Sequence, residues 1–409
     1  MLILALFAGE IMLKSGAEIY RVEDTMVRIC RACKIDYVEC FATTTGIFLS
    51  LDSGEDAAMH TFIKRINGCS IDLDKISRVN TFSRVFTTTD LSIEDGMEQL
   101  RAIRTQAGYS FLLRLIGAIL VGAFYCPMFK GSIGDMFIAG GISGVAYLIS
   151  SGIARLRFPD FIRILISCMG AAGLVLAAAA LGAGDSISPV IIAATTIFMP
   201  GVAITNAARD FLSGDMLSGL ARFAEAGMSA IAIAVGVGFG IQLWLLGGGH
   251  VGADRTVVFG VPWFLLFGFF STLGFCYLFN VPKKHCLSVS AIGAAGMFAF
   301  EAMYGGYGMI AACFFGTCLI AILAEVCSRA GKDATTIFII PGIIPFVPGA
   351  LLYETMSSVL VSDYTSAVST GTEAVLVAGC IAIALVLIAT FARLLLALTR
   401  KLKTLVGRA

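Results

Sequence analysis

One stretch of the chain places polar and charged side chains directly after an apolar run. The segment "PGVAITNAARDFLSGD" (200–215) follows "ISPVIIAATTIFM" and contains Asn206, Arg209 and Asp210 behind a Pro-Gly pair. A proline inside a helix removes one N–H donor and frees a carbonyl oxygen. Hydrocarbon offers no water to these groups, so such a break is stable only where it is buried in protein or lines a wet cavity. We therefore predict a solute site inside a membrane at this break.

A second stretch, "IIPGIIPFVPGALLYE", is more heavily interrupted by prolines. Its last break is followed by Tyr353 and Glu354. The N–H groups at an exposed helix start carry partial positive charge and bind a carboxylate, whereas freed carbonyls hold an ammonium group or a cation. A zwitterionic solute would use both kinds of group. The second stretch therefore predicts the other half of the same site, with Pro345, Pro348 and Gly349 supplying its backbone.

Three carboxylates in apolar surroundings are candidate proton carriers. An ionisable group at membrane depth is costly and is a functional candidate by default. Glu354 and Asp210 rank first, because they stand beside the breaks, and Glu301, within "MFAFEAMY", comes next. Asp210 and Glu225 also stand near arginines in the sequence. Structural ion pairs therefore explain those two acids as well as a transport role does.

The composition identifies a polytopic membrane protein. The 409 residues are 58% hydrophobic and only 14% charged, and the mean hydropathy is +0.90, well outside the range of soluble domains. A net charge of +1 indicates no nucleic-acid partner. No HExxH, GxSxG or GxxxxGK motif is present. We therefore expect a transporter driven by an ion gradient, and neither an enzyme nor an ATP-driven pump, with no cofactor.

Residues 1–106 contain no segment long enough to span a bilayer and are predicted to form a small cytosolic α+β domain. Helical spacing occurs in "EIYRVEDTMVRICRACK", "DLDKISRVNTFSRVF" and "SIEDGMEQLRAIRTQ", and Ser92 is the expected N-cap of the last helix. "IDYVECFATTTGIFLSL" alternates and turns like a strand pair, and "TFIKRI" is a third strand candidate. Cys30 and Cys33 form a lone CxxC without a second ligand pair, so no metal site is expected.

Ten apolar runs follow this domain. Each run approaches the roughly 20 residues that a spanning helix requires. The predicted spans are 109–128, 132–152, 160–181, 187–208, 217–246, 258–279, 286–303, 306–327, 335–360 and 372–396. The chain is therefore predicted to be mainly α-helical, with about ten transmembrane helices divided between membrane halves at 107–250 and 251–409.

Every second loop between these spans is rich in lysine and arginine. Basic loops of multi-pass proteins stay in the cytoplasm. We therefore expect a bacterial inner-membrane protein whose N-terminal domain and C-terminus are both cytoplasmic. The basic residues are Arg101 and Arg104; Arg155, Arg157 and Arg163; Arg209 and Arg222; Lys283 and Lys284; Arg329 and Lys332; and Arg393, Arg400, Lys401, Lys403 and Arg408.

The two interrupted stretches are copies of one another. A shift of 148 residues superposes them without a gap, and prolines, glycines and acidic residues fall in register. Since each half has an odd number of spans, the copies enter the bilayer in opposite senses, as in the inverted repeats of secondary transporters. Coincidental Pro-Gly pairs at span ends are the alternative. The matched residues include Pro200 with Pro348, Gly201 with Gly349, Asn206 with Glu354, Asp215 with Asp363, and Glu225 with Glu373.

The chain resembles the threonine/serine exporter family along nearly its whole length. "AGEIMLKSGAEIYRVEDTMVRIC" and "MPGVAITNAARDFLSGDMLSGLARFAEA" are similar to the first part of that family, and "FNVPKKH" and "IIPGIIPFVPGALLYETM" to its second part. The resemblance implies export of small hydrophilic amino acids from the bacterial cytoplasm, driven by the proton motive force. Split relatives, in which the two parts are separate proteins, are associated with dicarboxylate export.

Several interpretations stay open at this level. The leading hypothesis is a proton-coupled exporter of threonine or serine, and the main alternative is an exporter of dicarboxylates such as succinate. A membrane-embedded enzyme, and a pore gated by residues 1–106 acting as a sensor, are further alternatives. The expected partners are a small-molecule substrate, protons and the lipid bilayer, and a homo-oligomer is left open.

Overall fold

The computed structural model describes residues 2–35, 37–52, 59–250, 254–360 and 362–406. The described chain is mainly helical, with one small sheet. Arg408 and part of the loop "GGGHVGADR" lie outside the described residues. The helices are α1 (Leu2–Lys14), α2 (Ile19–Ala32), α3 (Leu73–Thr88), α4 (Ile93–Thr105), α5 (Phe111–Tyr125), α6 (Ile133–Arg155), α7 (Asp160–Ala180), α8 (Ser188–Thr195), α9 (Gly201–Ser213), α10 (Met216–Leu246), α11 (Trp263–Leu278), α12 (Cys286–Gly331), α13 (Thr335–Ile343), α14 (Gly349–Leu360) and α15 (Tyr364–Val406).

The N-terminal region, residues 2–105, combines α1–α4 with a three-stranded antiparallel sheet in the order β1-β2-β3. Its strands are β1 (Tyr37–Thr43), β2 (Gly46–Asp52) and β3 (Met59–Arg65). The predicted strand pair and third strand are therefore confirmed, and Thr43 pairs with Gly46 at the hairpin turn. Ser92 is the N-cap of α4, as predicted, because its side chain accepts from the Asp95 N–H.

Six helices are long and apolar enough to cross a membrane, or eight if each bent helix pair is one span, within the part of the chain that the structure describes. The bent pairs are α8 with α9 and α13 with α14. Two further helices, α11 and α12, account for the difference between these eight spans and the ten predicted spans. Helix α11 is apolar but has only 16 residues. Helix α12 has 46 residues, about twice a spanning length, and is interrupted by non-helical backbone at Gly308 (φ 78°, ψ 177°).

Loops that were predicted to alternate across the membrane gather at two ends of the helix bundle. At one end, the N–H groups of Leu73 and Asp74 donate to the carbonyls of Phe279 and Asn280, at 2.9 Å each. The N-terminal region therefore caps the loop between α11 and α12. At the other end, Val257 N–H donates to the Lys130 carbonyl at 2.8 Å, which joins two of the loops that are poor in lysine and arginine.

Asp333 ties the N-terminal region to the loop between α12 and α13. Its carboxylate accepts from Ser77 of α3 and lies 2.6 Å from Lys284 Nζ and 2.8 Å from His285 Nε2. Burial by itself would raise the pKa of Asp333, but the bonds from Lys284, Ser77 and His285 outweigh burial and hold that pKa below its usual range. The ionised form of Asp333 therefore stabilises the folded state.

This arrangement predicts an acid-sensitive docking contact. The folded-state pKa of Asp333 is lowered. Its contribution to the free energy of unfolding is therefore complete above the unfolded-state pKa, about 4, and is lost as the pH falls through the folded-state pKa. Asp333→Asn is expected to destabilise the protein by about 1.5–3 kcal/mol at neutral pH. It should also make the loss of stability below pH 4 less steep. Thermal unfolding between pH 3 and pH 7 measures both effects. Asp24→Asn, which removes an exposed ion pair with Arg28, is the control and should change little.

Candidate functional site

The two Pro-Gly breaks have the same local structure. In the first, α8 continues as a 3₁₀ turn over Thr196–Phe198 and α9 begins at Gly201. In the second, α13 continues as a 3₁₀ turn over Ile344–Phe346 and α14 begins at Gly349. The chain bends by 60° at the first break and by 42° at the second. The Pro-Gly positions that the shift of 148 residues matches therefore have the same order of local elements: a short helix, a 3₁₀ turn, a bend and a second helix.

Backbone geometry agrees residue by residue at the breaks. Met199 has φ −64° and ψ 133°, and Val347 has φ −63° and ψ 133°. The N–H of Gly201 donates to the Met199 carbonyl at 2.8 Å, and the N–H of Gly349 donates to the Val347 carbonyl at 2.7 Å. Proline supplies no N–H, so each break closes with a tight turn across the proline in place of a helical bond.

The breaks pack directly against one another. A Cβ atom added at Gly349 would lie 2.8 Å from Met199 Cβ, and one added at Gly201 would lie 3.4 Å from Val347 Cβ. The two contacts are reciprocal, because each joins the glycine of one break to the residue before the proline of the other. Helix α9 likewise packs on α15, and α10 packs on α14. The two bent helix pairs therefore contact each other at the breaks themselves.

Helix starts at these breaks present free backbone donors. In the first turn of α9, Ile204 N–H donates to Pro200, whereas Val202 and Ala203 have no carbonyl partner among the described residues. The first turn of α14 has the same arrangement, with Ala350 and Leu351 as the N–H groups left over. Unpaired N–H groups and the positive end of the helix dipole are the features that favour a carboxylate ligand.

A buried charged cluster lies at the other end of α9. Arg209 is in ion-pair contact with Glu18, the residue before α2, and Arg222 Nε lies 3.1 Å from Asp210 Oδ2. The side chains of Glu18 and Asp210 are each only 1% exposed. Arg209 and Arg222 were assigned to a loop between spans, and this assignment is wrong. Both lie within helices, α9 and α10, because each guanidinium has a buried carboxylate partner.

Backbone carbonyls of the N-terminal region complete the cluster. Arg222 Nη2 donates to the Ala17 carbonyl at 2.8 Å, and Asn206 Nδ2 lies 3.5 Å from the Gly16 carbonyl. Asn206 is buried, and its Oδ1 has no hydrogen-bond partner in the described structure. An amide oxygen left without a donor is a vacant acceptor for a ligand N–H.

The remaining predicted site residues lie in the breaks or beside the two bent helix pairs. Asp215 precedes α10 and Glu225 is exposed on it, so Glu225 lies outside the charged cluster. On α14, Tyr353 is half-buried and Glu354 is exposed, with Glu373 of α15 close enough to repel Glu354 electrostatically. Pro200, Pro345 and Pro348 lie in the breaks, which the fold thus brings together with Gly201 and Gly349.

Glu301 lies apart from the breaks, on α12. It is half-buried, and Lys130 is close enough to attract it electrostatically. Among the described residues, no basic group lies within 4 Å of Glu301 or Glu354, whereas Asp210 has Arg222. Asp210 therefore differs from the other two proton-carrier candidates, because it already has a counter-ion.

Glu18 and Thr336 are functional candidates that sequence reasoning missed. Glu18 Oε2 accepts from Arg21 Nε at 2.9 Å and from Thr336 Oγ1 at 3.3 Å. Thr336 belongs to α13, so the Glu18 carboxylate touches both broken segments. The available indication was the position of an acid directly before an amphipathic helix, which by itself is typical of helix starts.

Two cysteines of the N-terminal region have thiols that are shielded from solvent: Cys30 is buried and Cys40 is partly buried. Burial raises the pKa of the Cys30 thiol to about 11 and that of the Cys40 thiol to about 12, so both stay protonated at neutral pH. Within the described ranges, no group of three or more His, Cys, Asp or Glu side chains is placed to hold a metal ion.

Comparison with known proteins gives matches along most of the chain. A family profile described as "Putative threonine/serine exporter" matches residues 3–244, and one described as "Threonine/Serine exporter, ThrE" matches residues 265–391. The "Probable threonine/serine exporter" of Mycobacterium tuberculosis is 23% identical over 87% of this chain and 69% of that protein. No solved structure gives a significant match.

Shorter transporter subunits are similar to part of the chain. The "Probable succinate transporter subunit YjjP" is 24% identical in Klebsiella aerogenes, over 58% of this chain and 91% of the subunit. The Escherichia coli protein of the same name is also 24% identical, over 60% of this chain and 95% of the subunit. The first profile alone covers more than half of the chain, and the second covers most of the remainder. With its two broken helices and apolar helix bundle, this chain belongs to the threonine/serine exporter family of membrane transporters.

Proposed function

We propose that the protein exports threonine, serine or a similar small amino acid from the cytoplasm, coupled to the proton motive force. The observation that carries this proposal is the reciprocal contact of the two breaks, Met199 with Gly349 and Val347 with Gly201. Two helix starts with unpaired N–H groups and freed carbonyls meet there. Such an arrangement suits the carboxylate and ammonium groups of a zwitterion.

An inverted repeat of two five-span halves accounts for this contact. Its first half comprises α5, α6, α7, the α8–α9 pair and α10. Its second half comprises α11, the two parts of α12 on either side of Gly308, the α13–α14 pair and α15. The order of a broken fourth segment and a long fifth helix is the same in both halves. We accordingly propose ten spans, with residues 1–106 as a cytosolic domain and halves at 107–250 and 251–409.

The proposed orientation places the N-terminal region and the C-terminus in the cytoplasm of a bacterial inner membrane. Three groups of basic residues lie at the end of the bundle that the N-terminal region caps: Arg209 and Arg222 near the facing ends of α9 and α10, Lys284, and Lys332. Positively charged loops are retained on the cytoplasmic side. The breaks then lie deeper in the membrane than the charged cluster, on the path of an exported solute.

We propose Glu354 as the proton carrier. It follows the second break by one and a half turns, and no basic side chain pairs with it among the described residues. Asp210 has Arg222 as a counter-ion, which suits a structural role better. A carboxylate that alternates between protonated and ionised forms needs an environment where neither form is locked by a permanent partner.

Transport by purified protein in proteoliposomes tests the proposed function. Vesicles loaded with labelled threonine are expected to release it when a pH gradient is imposed, and unlabelled serine should compete. Glu354→Gln is expected to reduce the rate to that measured without a gradient while exchange of labelled for unlabelled threonine continues. Glu325→Gln is the control, since Glu325 is paired with Arg329 at 3.0 Å. Gradient-independent release by the unmodified protein would exclude proton coupling.

Competition between substrates in the same assay distinguishes dicarboxylate export from amino-acid export. The partial similarity to subunits named for succinate transport motivates this arm. Both buried arginines of the cluster already have carboxylate partners, Glu18 and Asp210. Inhibition by succinate that exceeds inhibition by serine would favour the dicarboxylate alternative.

A further inference from the structure

The segment Gly16–Glu18 enters the membrane part of the protein from the N-terminal region. Each of its three residues contributes one group: the carbonyl of Gly16 to Asn206, the carbonyl of Ala17 to Arg222, and the carboxylate of Glu18 to Arg209. Gly16 has φ +83°, a conformation that favours glycine. The turn between α1 and α2 is thus shaped to deliver these three groups to α9 and α10.

The partners of Glu18 are those that recognise a free carboxylate. The carboxylate is in contact with the Arg209 guanidinium, and Oε2 also accepts from the Thr336 hydroxyl at 3.3 Å. Arginine and hydroxyl donors bind the carboxylates of small ligands in the same way. Arg209 belongs to the first broken segment and Thr336 to the second, so the site spans both halves of the protein.

A vacant acceptor lies beside this carboxylate site. Asn206 is three residues before Arg209 on α9, and therefore on the same face. Its Oδ1 is buried without a donor, while its Nδ2 is turned to the Gly16 carbonyl. Asp210, one turn beyond Asn206, adds negative charge to this side. An ammonium group placed here would satisfy Asn206 Oδ1 and lie near a carboxylate.

Resting on the proposed function, we infer that Glu18 occupies the position that the substrate's carboxylate takes on Arg209, and that Gly16–Glu18 is the cytoplasmic gate. Substrate enters by replacing Glu18, with its ammonium group on Asn206 Oδ1. The ligand class is an α-amino acid with free carboxylate and ammonium groups. A dicarboxylate would bring its second carboxylate to the oxygens of Asn206 and Asp210, which would repel it.

A purely structural role for Glu18 makes a different prediction. If Glu18 only braces the N-terminal region, neutralising it would lower the amount of folded transporter without changing the substrate concentration at half-maximal rate. If Glu18 competes with substrate, neutralising it raises the fraction of protein whose site is open. The apparent affinity for substrate rises by the same factor.

The test uses the full chain in proteoliposomes with the N-terminal region outside, and threonine is added outside. Glu18→Gln keeps the shape of the side chain and removes its charge. We expect the half-saturating threonine concentration to fall about tenfold if the site is open a tenth of the time in the unmodified protein. Glu10→Gln is the matched control, because Glu10 is also buried and paired with two lysines, Lys14 and Lys64, but lies wholly within the N-terminal region.

Hydrogen exchange of the unmodified protein gives a second readout that does not require Glu18→Gln to fold. Saturating threonine is expected to increase amide exchange in residues 16–22, because bound substrate displaces Glu18. Unchanged exchange there would contradict the proposal that Gly16–Glu18 is a gate. An unaltered half-saturating concentration in active Glu18→Gln would overturn it equally. Absence of threonine and serine flux in the unmodified protein would instead refute the proposed function, and the ligand assigned to the gate with it.

Discussion

Arg222→Met is expected to destabilise the protein by about 3–5 kcal/mol, because it leaves the buried Asp210 carboxylate without its counter-ion. Arg222 Nε lies 3.1 Å from Asp210 Oδ2, and Nη2 donates to the Ala17 carbonyl, so the ion pair and the hydrogen bond are lost together. Methionine keeps much of the apolar stem of arginine, which limits the change to charge and hydrogen bonding. The thermal unfolding midpoint in detergent, read with chemical denaturation where it is reversible, measures the loss.

A double variant and an exposed pair serve as controls for Arg222→Met. Asp210→Leu combined with Arg222→Met should recover most of the lost stability, since no charge is then buried alone. Arg329→Met removes the half-exposed partner of Glu325 and should change stability by less than about 1 kcal/mol. Equal effects of Arg222→Met and Arg329→Met would show that the Arg222–Asp210 pair is not buried as the structure places it.

Gly349→Ala is expected to abolish transport while costing about 1–3 kcal/mol of stability. The added Cβ would lie 2.8 Å from Met199 Cβ and 2.9 Å from Met199 Sδ. The sulfur can swing away, but Cβ is fixed to the backbone, so the two breaks must separate. Threonine release from proteoliposomes, corrected for the amount of folded protein, measures the effect on transport.

Two further glycine variants test whether the effect of Gly349→Ala is specific to the contact with Met199. Gly379→Ala, on α15, places its Cβ in open space, with no atom within 4 Å, and should leave transport unchanged. Gly201→Ala meets Val347 at 3.4 Å, an ordinary van der Waals distance, and should therefore affect transport much less than Gly349→Ala does. Full transport by Gly349→Ala would contradict the close contact between the breaks.

Local features of the fold could be predicted from the sequence. The strand pair around Gly46, the Ser92 cap and the two Pro-Gly breaks each depend on residues close together in the chain, where spacing and turn chemistry act directly. The equivalence of Met199 and Val347 also followed from register alone. Of the candidate site, the positions of the two breaks and of the polar residues that follow them could therefore be predicted from the sequence.

Contacts between distant segments could not be predicted in the same way. Glu18 meets Arg209 across 191 positions of sequence and Thr336 across 318, and no local pattern encodes either partner. Arg222 was counted among the basic residues of a loop between spans, and that assignment fails because the buried carboxylate of Asp210 pairs with it inside the helix bundle. Helix α12 runs through the predicted boundary between the spans 286–303 and 306–327, because its backbone departs from helical geometry only at Gly308.

The N-terminal region and the membrane helices share one continuous cluster of buried apolar side chains. They are also joined at Glu18, Ala17 and Asp333. A chain that lacks residues 1–106 would therefore keep Arg209 in the membrane without its counter-charge and would expose the carbonyls that now hold the start of α3. Truncation would therefore destabilise the membrane part of the transporter, so the N-terminal region is better studied by point substitution. Heating should melt both parts in one transition.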